Sequence, residues 1–214
     1  WRVHGQLKKA QPELEKAQTL WEAGQVEDPG IFDEARVFKP GPLPGPIVCR
    51  GVRLGLLICE DMWTADVAEC LQESGAEILV VPNGSPYEAG KADERTQLAV
   101  ARVGETGLPL IYVNQVGGQD ELVFDGGSFV LDTDYSLRAQ LPVFREALAL
   151  THWRRDADGA WHCADARTEA PEIGMEPVYG ALLLGLRDYV NTNRFPGVVL
   201  GLSGGIDSAI CAAI

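Results

Sequence analysis

Apolar runs of strand length alternate with helical segments through the middle of the chain, and this alternation limits the fold more than any other feature. The runs lie at 52–58, 76–83 and 108–116, and the segments between them, 66–75 and 92–107, have the composition of helices. Helices placed between consecutive strands favour a layered sheet. We therefore predict an α/β or layered α+β fold.

Two further segments flank this alternating region. After it, residues 125–141 are predicted to form a hairpin with its turn at Thr133 and Asp134. Before it, residues 6–24 are rich in good helix formers but contain Pro12, which predicts a short helical segment on the surface.

Charged residues, glycine and proline become frequent at 154–177, where the apolar periodicity is lost. Such a composition predicts a linker. Residues 1–153 then form one domain, and residues 178–214 form the start of a second.

The second domain is predicted to begin with a helix, which a strand and a glycine-rich turn follow. The helix should end before Phe195, because a proline comes next, and the strand should cover 198–202. The helix carries one apolar face, made of Tyr179, Leu182, Leu183, Leu186, Tyr189 and Val190.

Composition excludes several classes of protein. The net charge of −13, from 18 basic and 31 acidic side chains, opposes binding to nucleic acid or to an anionic membrane. The sequence from Trp1 onward shows neither a secretory signal nor a membrane-spanning stretch, so we expect a cytoplasmic protein. The five cysteines form no CxxC pair, which argues against structural zinc and a disulfide framework.

A cysteine follows the first strand-length run, in the sequence ICEDMW at 58–63. A thiol at the C-terminal end of a buried strand can act as a nucleophile while backbone amides stabilise an oxyanion. The position also suits an ordinary packed cysteine, since cysteine is among the most buried residue types. The acidic neighbours Glu60 and Asp61 disfavour a thiolate unless a cation compensates. Cys59 is therefore a candidate nucleophile whose role the local sequence leaves open.

The second strand-length run leads into a loop, VPNGSPYEAGK at 81–91, which offers a hydroxyl and an ammonium group. Ser85 and Lys91, at the C-terminal edge of a sheet, could hold a substrate carboxylate. The alternative is a plain turn with a solvated lysine. The loop alone does not decide between the two.

The glycine-rich sequence SGGIDS at 203–208 is predicted to bind phosphate. Its glycines allow consecutive backbone amides to point at an anion, and the following helix adds its positive end and the hydroxyls of Ser203 and Ser208. The turn lacks the lysine of the GxxxxGK[ST] loop, so it suits release of pyrophosphate rather than transfer of a γ-phosphoryl group. An ordinary glycine turn is the alternative.

Three segments of the chain resemble the glutamine-dependent NAD synthetase family. They are GVRLGLLICEDMWTADVAECLQESGAEILVVPNGSPYEAGK, LPLIYVNQVGGQDELVFDGGSFVLD and LGLSGGIDSA. The nitrilase pattern of the first two also occurs in amidases, and the SGGxDS loop occurs in asparagine and GMP synthetases, but the two in this order are specific. The resemblance implies part of a nitrilase-like α-β-β-α sandwich, followed by the first helix, strand and phosphate loop of a Rossmann-like ATP pyrophosphatase domain.

The resemblance also assigns roles to individual residues. Cys59 matches the family's nucleophile, which attacks the carboxamide carbon of glutamine and releases ammonia. Glu60, Ser85 and Lys91 match the glutamine pocket, in which the serine and the lysine hold the α-carboxylate. The ATP site of the family matches Gly201, Leu202, Ser203, Gly204, Gly205, Ile206, Asp207 and Ser208.

The reaction implied by the resemblance is that of a ligase that forms a carbon–nitrogen bond. ATP, deamido-NAD and glutamine give NAD, AMP, pyrophosphate and glutamate. Mg²⁺ is expected to accompany ATP, no protein metal ligand is implied, and the full-length enzyme is expected to be a homo-oligomer.

Two members of the family's catalytic triad have no match in this chain. The family places a lysine before a segment whose end is kept here as PGIFDEARVF at 29–38, but EAGQVED stands where that lysine should be. Lys8 and Lys9 lie too far upstream, and the general-base glutamate is also missing. We therefore expect a piece of a longer enzyme and no glutaminase turnover by the chain alone.

Two other functions stay open at this point. A stand-alone carbon–nitrogen hydrolase acting on a small amide would need only the first domain, although the phosphate loop argues against it. A noncatalytic nitrilase-like module that assembles with partners is favoured by the missing lysine and glutamate.

Overall fold

The computed structural model describes residues 39, 41–165, 167–169 and 174–214. The helix expected at 6–24, the segment 29–38 and the lysines at positions 8 and 9 lie outside the described residues. Residues Leu43–Ile214 form one unit, to which all the elements below belong.

Strands in the described part of the chain number eleven. They are β1 (Ile47–Cys49), β2 (Val52–Leu56), β3 (Ile78–Asn83), β4 (Leu110–Asn114), β5 (Val116–Gln119), β6 (Leu122–Asp125), β7 (Phe129–Leu131), β8 (Leu137–Gln140), β9 (Trp153–Arg155), β10 (Trp161–Cys163) and β11 (Arg167–Thr168).

Seven of these strands form one sheet in the order β1-β2-β3-β4-β7-β8-β11. β2, β3 and β4, the three predicted strands, run parallel. β1, β7 and β8 pair antiparallel with their neighbours in the chain or in the sheet, and β11 runs parallel to β8. The other four strands form two hairpins, β5–β6 and β9–β10.

The helices follow the predicted segments closely. Four α-helices and one 3₁₀ helix occur among the described residues: the 3₁₀ helix Cys59–Met62, α1 (Ala65–Glu73), α2 (Lys91–Thr106), α3 (Glu176–Thr192) and α4 (Ile206–Ala213). α2 ends where the sequence predicted, because Gly107 adopts a left-handed conformation (φ 65°) and its amide donates to the carbonyl of Val103 at 2.8 Å. No described helix is both long and apolar enough to cross a membrane.

Helices α1 and α2 cover one face of the main sheet. The core between them contains alternate residues of β3, β4 and β7 together with Ala68 and Leu71 of α1 and Ala99 and Val103 of α2. The opposite face of the sheet carries a smaller cluster around Val130, Ala139 and Cys163. The predicted mixed α/β fold is confirmed, and the turn at Thr133 and Asp134 indeed joins β7 to β8.

The segment predicted as a linker, 154–177, is partly folded. Most of the β9–β10 hairpin and all of β11 fall within it, and β11 extends the main sheet at its edge. Composition missed these strands because they have only two or three residues each, too few to show a period. The domain boundaries at 153 and 178 stay a prediction.

Helix α3 packs on the β5–β6 hairpin through a different face from the one its apolar residues suggested. Ala181 and Leu184 are its buried residues, whereas five of the six predicted apolar positions are exposed. Small residues allow the close approach, since a Cβ on Gly118 would lie 2.9 Å from the Cα of Gly185. The buried face of α3 therefore combines the apolar Ala181 and Leu184 with a close backbone approach at Gly185.

The prediction of a strand at 198–202 is wrong. The residues have no strand pairing in the structure, and all five are exposed. A strand needs a neighbour to satisfy its backbone groups, and no described strand lies beside this segment. The helix that follows does form, as α4.

Candidate functional site

Three parallel strands bring the candidate residues to one edge of the sheet. The C-terminal end of β2 leads to Cys59, that of β3 leads to Ser85, and β4 ends at Asn114. The carboxyl ends of parallel strands are where open α/β sheets bind ligands. The fold therefore places the predicted nucleophile and the predicted carboxylate-binding loop side by side.

Cys59 lies in a turn of unusual backbone conformation. Its φ of 53° is left-handed, which is uncommon for a residue other than glycine and occurs often at functional sites. The carboxylate of Asp61 accepts a 2.8 Å hydrogen bond from the amide of Ile58, and the buried Met62 anchors the turn in the core. The half-buried thiol is thus held on a short, well-anchored 3₁₀ helix at the strand end.

Ser85 is fixed from two sides. Its amide donates to Oδ1 of Asn114 at 2.9 Å, and Nδ2 of Asn114 donates back to the Ser85 carbonyl at 3.1 Å. Its hydroxyl oxygen accepts a hydrogen bond from Nε of Arg95 at 3.0 Å. Because the oxygen already accepts from a charged donor, the hydroxyl proton can be donated to a second partner, and the Tyr112 phenol is its present partner.

Arg95 joins the Ser85 loop to the β6 strand. Its Nη1 donates to both carboxylate oxygens of Asp125, at 2.9 and 2.8 Å, and both side chains are 7% exposed. It also donates to the carbonyl oxygens of Ser85 and Pro86, at 3.0 and 2.7 Å. A buried charge pair is tolerated when its remaining hydrogen-bonding groups are satisfied, as they are here.

Tyr112 lies beneath the same site and stays protonated. Burial raises the pKa of Tyr112 to about 12, against the opposing effects of the Arg95 charge and a hydrogen bond with Ser85. The charge of Cys59 contributes to the same upward shift, so the phenol lies within electrostatic range of the thiol. The ring stacks on Phe129 at 4.8 Å, which fixes the phenol in place.

Lys91 lies where the loop meets the cysteine turn. It is the first residue of α2, and its ammonium is 3.4 Å from Oε1 of Glu88 and 5.9 Å from the centre of the Trp63 ring. Trp63 directly follows the 3₁₀ helix that begins at Cys59. The half-buried Glu60 belongs to that helix.

The predicted phosphate loop is exposed and partly preformed. The hydroxyl oxygens of Ser203 and Ser208 are 3.2 Å apart, and the amide of Gly205 donates to Oγ of Ser203 at 3.4 Å. Gly204 takes the left-handed conformation (φ 85°) that the turn requires. Asp207 lies in the first turn of α4, at the end of the helix that favours anions.

A polar network that no sequence motif indicated lies beneath the site and consists of Arg95, Tyr112, Asn114 and Asp125. One feature of the sequence did indicate a buried polar group here. Arg95 and Arg102 share a helical face with Ala99 and Val103, and an arginine repeated on an apolar face indicates a buried charge that needs a partner. Nothing in the sequence identified Asp125 as that partner.

Two family models match separate segments of the chain. The carbon-nitrogen hydrolase family model matches residues 17–162, more than half of the chain, and the NAD synthase model matches residues 178–214. The chain is 52% identical over 184 residues to the glutamine-dependent NAD⁺ synthetase of Rhodobacter capsulatus, which covers 86% of this chain and 33% of that protein. Identity to the enzyme of the same name from Acinetobacter baylyi is 39% over 185 residues, with coverage of 86% and 34%.

A solved structure gives the same result in three dimensions. The glutamine-dependent NAD⁺ synthetase of Acinetobacter baumannii, in complex with ADP, superposes with a TM-score of 0.77 at 39% identity. The match covers 88% of this chain and 35% of that one. The chain thus spans about a third of the length of these relatives.

Proposed function

The chain belongs to the carbon–nitrogen hydrolase family, and on that premise we propose that it supplies the glutaminase site of a glutamine-dependent NAD⁺ synthetase. The observation that carries the proposal is the meeting of the Cys59 turn with the Ser85–Lys91 loop at one sheet edge. The match of residues 178–214 to the NAD synthase model supports the proposal that this glutaminase site belongs to an NAD⁺ synthetase.

In this proposal Cys59 is the nucleophile. Its sulfur bonds to the carboxamide carbon of glutamine, the carbon–nitrogen bond breaks, and the leaving nitrogen takes the proton of the thiol and departs as ammonia. Water then hydrolyses the thioester to glutamate and restores the thiol. The turn that holds Cys59 begins with backbone amides that could stabilise the oxyanion.

The residues around Cys59 bind and orient glutamine. The Ser85 hydroxyl, whose oxygen accepts from Arg95, exchanges its hydrogen bond with Tyr112 for one to the α-carboxylate, and the Lys91 ammonium pairs with the same group. Glu60, one residue beyond the nucleophile, lines the pocket. Lys91 must exchange its present partner, Glu88, for the substrate.

The second proposed site is the loop from Gly201 to Ser208, which would bind the phosphates of ATP. Backbone amides and two hydroxyls at the start of α4 fit an anionic group. No described group of three or more histidine, cysteine or acidic side chains could hold a metal ion. Mg²⁺ would be brought to this loop by the ATP phosphates.

ATP activates deamido-NAD by adenylation in the proposed reaction, and ammonia displaces AMP to give NAD. We further propose that the full-length gene product is a cytoplasmic homo-oligomer. The net charge of −13 supports the absence of a nucleic-acid partner.

Isotope transfer tests the proposed function. The full-length gene product is supplied with ATP, Mg²⁺, deamido-NAD and glutamine labelled with ¹⁵N in the amide, and the NAD formed is analysed by mass spectrometry. We expect the label in the carboxamide of NAD. Release of labelled ammonia without formation of NAD would instead support a stand-alone amidase, and no turnover of glutamine would support a noncatalytic module.

A further inference from the structure

Helix α2 carries two buried arginines on the face that packs against the sheet. Arg95 and Arg102 are seven residues apart, about 10 Å along the helix axis at about 1.5 Å per residue. Each is 6% exposed. Burying a guanidinium is costly unless it gains specific partners, so the partners of each arginine identify what it holds.

Arg95 holds the substrate side of the site. Four hydrogen bonds tie it to Asp125 and to the backbone of Ser85 and Pro86, and a fifth reaches the Ser85 hydroxyl. Every guanidinium nitrogen of Arg95 donates either to the Ser85 loop or to the carboxylate of Asp125. The orientation of the Ser85 hydroxyl therefore depends on this arginine.

Arg102 holds the nucleophile side. Its Nη1 donates to the carbonyl oxygen of Met62 at 3.1 Å, and its Nη2 pairs with Glu105 at 2.7 Å. Met62 is the last residue of the 3₁₀ helix that begins at Cys59. A cation at the C-terminal end of that helix stabilises it and fixes the turn to α2.

We propose that Arg95 and Arg102 are positioning residues that together set the distance between the thiol of Cys59 and the carboxylate-binding hydroxyl of Ser85. The inference rests on the proposed glutaminase function. A rigid helix joins the two arginines, so neither half of the site shifts relative to the other without breaking a buried hydrogen bond. A fixed spacing selects glutamine over asparagine, whose amide carbon is one methylene nearer its carboxylate.

The two arginines should have separable kinetic effects. Lysine at position 95 keeps the positive charge but lacks the planar guanidinium, which donates to the Ser85 loop from several nitrogens. The affinity for glutamine should therefore fall. Lysine at position 102 should loosen the Met62 carbonyl and misplace the nucleophile, which lowers the rate of the chemical step. A purely structural role for both would affect the two kinetic constants alike.

The experiment measures glutamine-driven and ammonia-driven NAD synthesis by the full-length gene product. For Arg95→Lys we expect KM for glutamine to rise about tenfold or more, with kcat within about threefold. For Arg102→Lys we expect kcat with glutamine to fall about tenfold or more, with KM within about threefold. Arg154→Lys, at an exposed arginine of β9, is the matched control and should change neither.

Two gentler variants serve if a lysine variant does not fold. Asp125→Asn weakens the partner of Arg95, and Glu105→Gln weakens the partner of Arg102, while both arginines stay in place. We expect Asp125→Asn to raise KM for glutamine and Glu105→Gln to lower kcat, each by less than the corresponding lysine variant. In all variants the preference for glutamine over asparagine should fall, and ammonia-driven synthesis should stay within about twofold of the wild type.

Equal changes in KM and kcat for both arginines, or an equal loss of ammonia-driven synthesis, would overturn this inference and leave the arginines a structural role. The proposed function is judged separately, by the wild type. If the wild type transfers the glutamine amide nitrogen to NAD but the two arginine variants do not differ in their effects on KM and kcat, only the proposed positioning role is contradicted. If the wild type uses no glutamine, both proposals fail.

Discussion

The amide of Gly118 in the β5–β6 hairpin donates a 2.8 Å hydrogen bond to Oδ2 of Asp188 on α3. This bond joins the segment that matches carbon-nitrogen hydrolases to the segment that matches NAD synthase. The hairpin also contacts the Ser85 loop, since the amide of Tyr87 donates to the carbonyl of Val123 at 2.7 Å. The Ser85 loop and the first helix of the second segment are therefore both in contact with this hairpin.

The contact between Gly118 and α3 should not tolerate a side chain. We expect Gly118→Ala to weaken the packing by about 1–3 kcal/mol, because the added Cβ would lie 2.9 Å from the Cα of Gly185. Hydrogen exchange of the α3 amides in the full-length gene product measures the effect, and exchange should be faster. Gly197→Ala is the control, since no atom lies within 4 Å of its added Cβ. Equal exchange in the two variants would contradict this packing.

Stability should depend on pH through His162. Hydrogen bonds to Asp156 and then to Asp132 raise the pKa of His162 above its usual value. The folded state therefore binds the proton more tightly than the unfolded state, and the stabilisation is complete below about pH 6.5. This stabilisation is lost as the pH rises through the raised pKa of His162 in the folded state.

Urea unfolding at pH 6 and at pH 8.5 checks this expectation. We expect His162→Gln to lower the free energy of unfolding at pH 6 by less than about 1 kcal/mol, as for a partly exposed ion pair, and by less again at pH 8.5. Arg154→Gln, at the facing position of β9, is the control and should show no such change with pH. A deficit that grows with pH would contradict the assigned direction.

The 214-residue chain should bind ATP negligibly. Residues 198–202 form no strand in the described structure, and the loop from Ser203 to Ser208 is almost entirely exposed. Ordering such a loop costs roughly 1–2 kcal/mol per residue, which offsets the gain from a few phosphate hydrogen bonds. Isothermal titration with ATP and Mg²⁺ measures this directly. Saturable micromolar binding that is lost in Ser203→Ala and Asp207→Ala would show that the site is complete in this chain.

Much of the fold could be predicted from the sequence, because its signals are local. The end of α2 at Gly107 follows from a left-handed glycine, and the layered sheet follows from the alternation of strands and helices. The strand at 198–202 was wrong because strand formation depends on a neighbour, which a local pattern does not supply. The short strands β9 to β11 have too few residues to show a period.

The candidate site was predictable only in part, for the same reason. Cys59, Ser85 and Lys91 follow predicted strands, so their shared edge could be inferred. The left-handed φ of Cys59 has no sequence signal, and the turn that contains it is held by the Asp61 carboxylate and the buried Met62. The pairing of Arg95 with Asp125 links residues 30 positions apart, and no local rule connects them.

The most direct measurement is the comparison of glutamine-driven with ammonia-driven NAD synthesis in the Cys59→Ala variant of the full-length gene product. We predict that glutamine-driven synthesis falls at least about a thousandfold, while ammonia-driven synthesis stays within about twofold of the wild type. Cys70→Ala, at another half-buried cysteine, should leave both activities intact. An equal loss of both activities in Cys59→Ala, or full glutamine-driven synthesis without the thiol, would contradict the assignment of Cys59 as the residue that releases ammonia.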